Sequence, residues 1–132
     1  MKSLHRAVFD LRVHLVLVTK YRKNILTPKI LNRSQEIFTS LAKDWDIELI
    51  EFDGEADHVH LLLSLKPDIQ PSKLVNNFKT VSSRLLRKEY GPHIAKFYKQ
   101  SVLWSRSYCI ISCGGVTVEK LKEYIEKQGM GN

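Results

Sequence analysis

The sequence predicts an α+β domain of ferredoxin-like (RRM-like) topology, β-α-β-β-α-β with an antiparallel sheet, followed by one extra C-terminal helix. Three observations carry that prediction. Residues 11–18 and 57–65 read as strands, with side chains sorting to two faces at period two. Two long segments, each opened by a proline, repeat their apolar residues at helical spacing. The order strand, helix, strand pair, helix, strand is that of a split β-α-β unit.

The first strand covers 11–18. Leu11, Val13, Leu15 and Leu17 form one face and Arg12, His14, Val16 and Val18 the other. The leucine face is expected to meet the helices. His14 shares the second face, where a structural role is the plainer reading. Lys20-Tyr21-Arg22-Lys23 follows, one ring among three cations. Such a segment suits a nucleic-acid strand, because cations meet phosphates and a ring stacks on a base. The plain alternative is a solvated loop.

Thr27-Pro28 opens the first helix as N-cap and first-turn proline. Ile30, Leu31, Ile37, Phe38, Leu41, Ala42 and Trp45 form its core stripe. Residues 47–52 read as the second strand. Its alternation changes phase between Leu49 and Ile50, which predicts a bulge or a doubly covered stretch. Asp53-Gly54-Glu55 is expected to turn the chain into the third strand, 57–65, closing a hairpin.

That third strand is the centre of the sequence. Val59, Leu61, Leu63 and Leu65 fall on its buried face; His58, His60, Leu62 and Ser64 fall on the other. The two histidines then have Cα atoms about 7 Å apart and point the same way, which suits two ligands on one metal ion.

Pro67 ends the strand and Pro71 begins the second long helix. Leu74, Val75, Phe78, Val81, Leu85 and Leu86 are its buried stripe; Lys73, Lys79, Arg84, Arg87 and Lys88 decorate the rest. Gly91-Pro92 is expected to stop it, with a loop over 93–104. A fourth strand, carrying Arg106, covers 105–112, and Gly114-Gly115 forms a flexible joint. A terminal helix runs over 117–128, with Thr117 as cap and Val118, Leu121 and Ile125 as its apolar stripe. Tyr124 and Gln128, four apart, lie one turn above the other.

Both long helices should cover one sheet face, leaving the histidine face open to substrate. The expected organisation is one domain over 1–132, with a core over 1–115 and a terminal helix and tail over 116–132. The net charge of +7 and pI near 9.5 point to a polyanionic partner, most often nucleic acid. Cys109 and Cys113 match neither a redox pair nor a disulfide framework and read as reduced core thiols. No apolar stretch approaches the roughly 20 residues of a membrane span, and the first residues lack a signal-peptide core, so a soluble cytoplasmic protein is expected.

His58-Val59-His60 is an HUH motif, U being a bulky apolar residue, and Tyr-x-x-x-Gln follows on a later helix. With those motifs, its length and its basic charge, the chain resembles the single-tyrosine HUH transposases of the smallest prokaryotic insertion sequences, the TnpA type. Residues 14–23, 57–65, 104–115 and 124–128 carry the likeness. The resemblance implies cleavage and rejoining of single-stranded DNA with hairpins at element ends, by a homodimer. It implies Tyr124 as the nucleophile, forming a 5′-phosphotyrosine, and His58, His60 and Gln128 as metal ligands. It also implies that one protomer's tyrosine helix can serve its partner's histidines; Gly114-Gly115 is where the sequence offers a joint for that exchange.

The chemistry is coherent by itself. A divalent cation neutralises phosphate charge and polarises the phosphorus–oxygen bond. Two imidazoles and an amide leave that ion its full charge, and such donors fit Mg²⁺ or Mn²⁺ better than a thiolate-type zinc site. Exchange of one phosphoester for another needs no ATP, and no nucleotide-binding loop is present. Three alternatives stand beside this reading. One is an HUH nickase of the replication-initiator or relaxase kind. Another is an inactive single-stranded nucleic-acid-binding domain. The third is a structural zinc site built from His58, His60, Cys109 and Cys113.

Overall fold

The computed structural model describes residues 2–4, 7–9 and 11–113, with Glu123 and Glu126 beyond them. A short antiparallel ribbon, β1 (Lys2–Leu4) with β2 (Ala7–Phe9), opens the chain and forms a sheet of its own. Three-residue strands are too short for alternation to register in a sequence, so no motif announces this ribbon.

The main sheet contains β3 (Arg12–Thr19), β4 (Glu48–Glu55), β5 (His58–Ser64) and β6 (Trp104–Ser112). All neighbours are antiparallel and the order is β4-β5-β3-β6. Helices α1 (Pro28–Asp44) and α2 (Pro71–Glu89) supply the two crossovers. This is the expected ferredoxin-like arrangement, and it places β5 and β3, the histidine-bearing strands, side by side at the centre.

Local signals explain the helix starts. Thr27 Oγ1 accepts a hydrogen bond from Ile30 N at 3.2 Å and Pro28 occupies the first turn of α1; a cap of this kind contributes about 1 kcal/mol. Pro71 takes the equivalent place in α2. The stripes of both helices pack on Leu15 and Leu17 of β3 and on Val59, Leu61 and Leu63 of β5, forming one core. Phe38 sits near its centre, with ring centroids 6.2 Å from Phe52 and 5.6 Å from Phe78. Ser34 and Ser82 are buried inside the helices, where each hydroxyl donates to a carbonyl one turn back. Ser82 Oγ also accepts from Trp104 Nε1, tying α2 to β6.

Four local expectations are corrected. First, β4 runs through Asp53, Gly54 and Glu55, and the hairpin turns at Ala56 and Asp57. Gly54 serves close approach: a Cβ there would lie 2.7 Å from Leu31 Cδ2 and 3.1 Å from the His58 carbonyl. Second, α2 does stop just before Gly91-Pro92, with Tyr90 as its cap, but these two residues then begin a short helix, α3 (Gly91–Ile94), where a loop was expected from 93. Proline in a first turn starts helices as readily as it stops them. Third, β6 begins one residue earlier than expected, at Trp104.

Fourth, the histidine face is not bare. Val16, Val18 and Cys109 are buried on it, with Ile111 packed against them. The unbroken apolar run 15–18 is the signature of a strand covered on both sides. The predicted bulge does occur: the β4–β5 register shifts between Leu49 and Glu51, leaving Ile50 unpaired. Among the described residues, no helix is long and apolar enough to cross a membrane.

Candidate active site

The β3–β5 register sets Val18 opposite His58, Val16 opposite His60 and His14 opposite Leu62. His14 and His60 are therefore diagonal neighbours on one face. Their rings stack with centroids 4.8 Å apart, and His14 Nδ1 lies 2.6 Å from His60 Nε2. His60 is 9% exposed. Burial, then the neighbouring His14, holds its pKa below the ordinary imidazole value.

His58 is placed differently. Its Nδ1 lies 2.9 Å from Asp57 Oδ1, and its Nε2 is 3.7 Å from Glu55 Oε2. The other Asp57 oxygen, Oδ2, accepts from Arg22 Nε at 3.1 Å, and Arg22 Nη2 stands 3.1 Å from it as an ion-pair contact. Burial pushes the Asp57 carboxyl up, but hydrogen bonds and charge from His58 and Arg22 outweigh it and hold the group below the usual carboxylate range.

Arg22 reaches Asp57 from a strained turn. Residues Lys20–Arg22 form a single 3-10 turn in which Tyr21 (φ 61°) and Arg22 (φ 53°) are both left-handed. Two successive non-glycine residues in that region are costly and need outside support. The support is visible. Thr19 N donates to Asp57 O at 2.9 Å, Lys20 N to Leu103 O and Leu26 N to Ala56 O, both at 2.8 Å. Thr19 Oγ1 donates to Lys23 O, Tyr98 Oη to Lys20 O and His93 Nε2 to Ile25 O. Tyr21 itself is exposed, with Lys20 Nζ 5.2 Å from its ring.

A cleft of about 230 Å³ opens between this turn and the β4–β5 hairpin, lined by Arg22, Asn24, Glu55, Ala56, Asp57, His58 and Glu126. Tyr124, Gln128 and the Gly114-Gly115 joint lie outside the described residues. Tyr98, a rival nucleophile by residue type, is buried, and burial pushes its phenol up to about 12. A phenol so disposed is poorly suited to attack.

The predicted cationic residues fall into two groups. Of Lys20, Tyr21, Arg22 and Lys23, Arg22 lines the cleft and is committed to Asp57, while Tyr21 and Lys23 are exposed. Lys73, Arg84 and Arg106 are exposed, and Arg87 Nε donates to Ser83 Oγ at 3.0 Å. Lys79 is half-buried, donates to the Arg106 carbonyl at 3.2 Å and sits 5.9 Å from the Tyr108 ring. Burial lowers its pKa. The Cys₂His₂ alternative does not assemble: among the described residues no group of three or more His, Cys, Asp or Glu side chains is arranged to hold a metal. Both cysteines are free, and burial pushes the Cys109 thiol up.

Asp57 and Arg22 as partners of His58 escaped the sequence reading. An acid directly before the H-x-H was its one available signal, and neither residue's role follows without the left-handed turn.

Residues 7–128 match the family model described as "Transposase IS200 like". The chain belongs to the IS200-like transposase family. Among curated members of this transposase family, it is 31% identical to the ISDra2 transposase TnpA of Deinococcus radiodurans over 128 residues, covering 97% of this chain and 91% of that one. It is 28% identical over 127 residues to the transposase for insertion sequence element IS200 of Salmonella typhimurium, covering 96% and 82%. A crystal structure of a Deinococcus radiodurans R1 protein assigned as a transposase superposes with a TM-score of 0.86 at 30% identity, covering 97% and 98%. A REP-associated tyrosine transposase, bound in its crystal to a REP hairpin, shares the fold with a TM-score of 0.55 at 12% identity, covering 96% and 68%. In this IS200-like transposase an H-x-H pair stands on a central strand, with His58 lining a cleft.

Proposed function

We propose that this transposase cleaves and rejoins single-stranded DNA at insertion-sequence ends through Tyr124, with His58, His60 and Gln128 holding a divalent cation, Mg²⁺ or Mn²⁺. The observation that carries the reading is the placement of His58 beside a cleft with its Nδ1 engaged by Asp57 and its Nε2 directed elsewhere. The donor set fits such a cation in part. His58 offers an imidazole nitrogen whose partner nitrogen is already oriented, and His60 shares its face. His60 Nε2 faces His14, so that contact must open, or Nδ1 must serve instead.

When bound, the cation would neutralise and polarise a phosphodiester. The chain's own contributions are distinct. Tyr124 supplies the attacking oxygen and keeps the 5′ phosphate as an ester, while the 3′ oxygen leaves with a proton. The second DNA end reverses the exchange and frees the phenol. Lys20, Tyr21 and Lys23 hold the strand by charge and stacking. Lys73, Lys79, Arg84, Arg87 and Arg106 extend the basic surface toward a hairpin. One nucleophile per chain makes a homodimer the stoichiometric unit for cutting two ends. The protein works in a prokaryotic cytoplasm as one domain, a core over 1–115 with a tyrosine helix over 116–132.

The test is a covalent-adduct assay with single-stranded DNA from the ends flanking the gene, with and without Mg²⁺ or Mn²⁺. A shifted band on a denaturing gel is expected for wild type and absent from Tyr124→Phe and His58→Ala. An adduct that persists in Tyr124→Phe would assign the nucleophile elsewhere. DNA retention under native conditions without any adduct would favour a binding module.

A further inference from the structure

We infer that Asp57 is a positioning residue: anchored by Arg22, it fixes His58 in the tautomer that presents an unprotonated Nε2 to the cleft. The inference rests on the reading of His58 as a metal ligand. The geometry leaves little choice about protons. Asp57 Oδ2 accepts the Arg22 Nε–H at 3.1 Å and has the positive Nη2 of the same guanidinium 3.1 Å away. A carboxylate held by that charge stays ionised and has no proton to give. The contact of 2.9 Å between Oδ1 and His58 Nδ1 therefore has Nδ1–H as donor. In the neutral ring the lone pair then belongs to Nε2. Glu55 Oε2 stands 3.7 Å from that nitrogen, beyond hydrogen-bond distance.

Arg22 is part of the device, since two left-handed residues in sequence have to be held in place for the guanidinium to reach the carboxylate. The same turn ends β3, whose Thr19 N donates to the Asp57 carbonyl. Asp57 is thus gripped through backbone and both carboxylate oxygens, while making no direct claim on the cation. Carboxylates behind ligating imidazoles orient the ring and raise its basicity, and their loss typically weakens metal affinity about 10–100-fold.

The experiment compares full-length wild type, Asp57→Ala, Asp57→Asn, Arg22→Gln and His58→Ala. Imidazole ¹⁵N shifts of the metal-free protein report the His58 tautomer. Titration calorimetry with Mn²⁺ reports affinity, and urea unfolding checks the fold. Wild type is expected to show Nδ1–H. Asp57→Ala should lose that preference and bind Mn²⁺ about 10–100-fold more weakly. Arg22→Gln should show a smaller loss in the same direction. Asp57→Asn keeps the shape and an acceptor oxygen, so it should retain the tautomer with a smaller loss than Asp57→Ala, and it decides the matter if Asp57→Ala unfolds. Weakened binding in His58→Ala beside unchanged tautomer and affinity in folded Asp57 variants overturns the positioning role alone. Unchanged affinity in His58→Ala overturns the metal reading, and this inference with it.

Discussion

His14 Nδ1 and His60 Nε2 lie 2.6 Å apart across the β3–β5 pair, so one nitrogen of a buried histidine is already spoken for. If the cation takes the same nitrogen, His14 and the metal compete. His14→Phe keeps a ring for stacking and removes the competitor. It should tighten Mn²⁺ binding in calorimetry while lowering stability by about 1–3 kcal/mol in urea unfolding, because a buried polar nitrogen loses its partner. Unchanged or weaker binding would place the ligating atom at Nδ1.

Acid should unfold the protein in two steps of known sign. His60 and Asp57 both have pKa values held below their ordinary 6.5 and 3.8. In each case the unfolded chain binds more protons, so stability rises with pH. The His60 contribution is complete above 6.5 and is lost as pH falls through its folded value; Asp57 adds a further loss below 3.8. Urea midpoints measured between about pH 7 and pH 3 check this. His60→Gln should flatten the upper part of the curve and leave the lower part.

Gly54→Ala should be destabilising. The added methyl would meet Leu31 Cδ2 at 2.7 Å and the His58 carbonyl at 3.1 Å. The leucine can move, but the carbonyl belongs to the strand that carries the histidines. A loss of about 1–3 kcal/mol is expected from overpacking. Pairing with Leu31→Ala should recover part of it, read by the same unfolding assay.

The cations should separate by experiment. Lys23 is exposed, so Lys23→Ala should lower single-stranded DNA affinity and reduce the salt slope by about 0.7, with stability unchanged. Lys79 packs against Tyr108 and the Arg106 carbonyl. Lys79→Ala should lower stability as well as affinity. Fluorescence anisotropy over a salt series, beside thermal unfolding, distinguishes the two.

Much of this was legible in the residues. The core faces of β3 and β5, the two helix stripes, the Thr27 cap and the break at Ile50 all follow from local spacing, and local spacing is what a sequence displays. The His14–His60 contact needs the strand register, which depends on the whole sheet. The Arg22–Asp57–His58 chain needs more: residues 35 positions apart meet only because Tyr21 and Arg22 adopt a conformation for which glycine or asparagine is the usual sign, and neither is present there. Burial of Val16 and Val18 was written in the apolar run 15–18, although an RRM-like reading of the sheet favours a bare face.

The unpaired Ile50 also settles where the acids go. With one residue taken out of register, Glu48 faces Ser64, Glu51 faces Leu62, Asp53 faces His60 and Glu55 faces His58. All four carboxylates stand exposed along one margin of the histidine face, in a chain whose net charge is +7. For an incoming polyanion that margin is a closed bank. On electrostatic grounds a phosphate backbone should be less favoured over that margin than over β3 and the Lys20–Arg22 turn, so a single skipped residue gathers the acids on one side of the sheet.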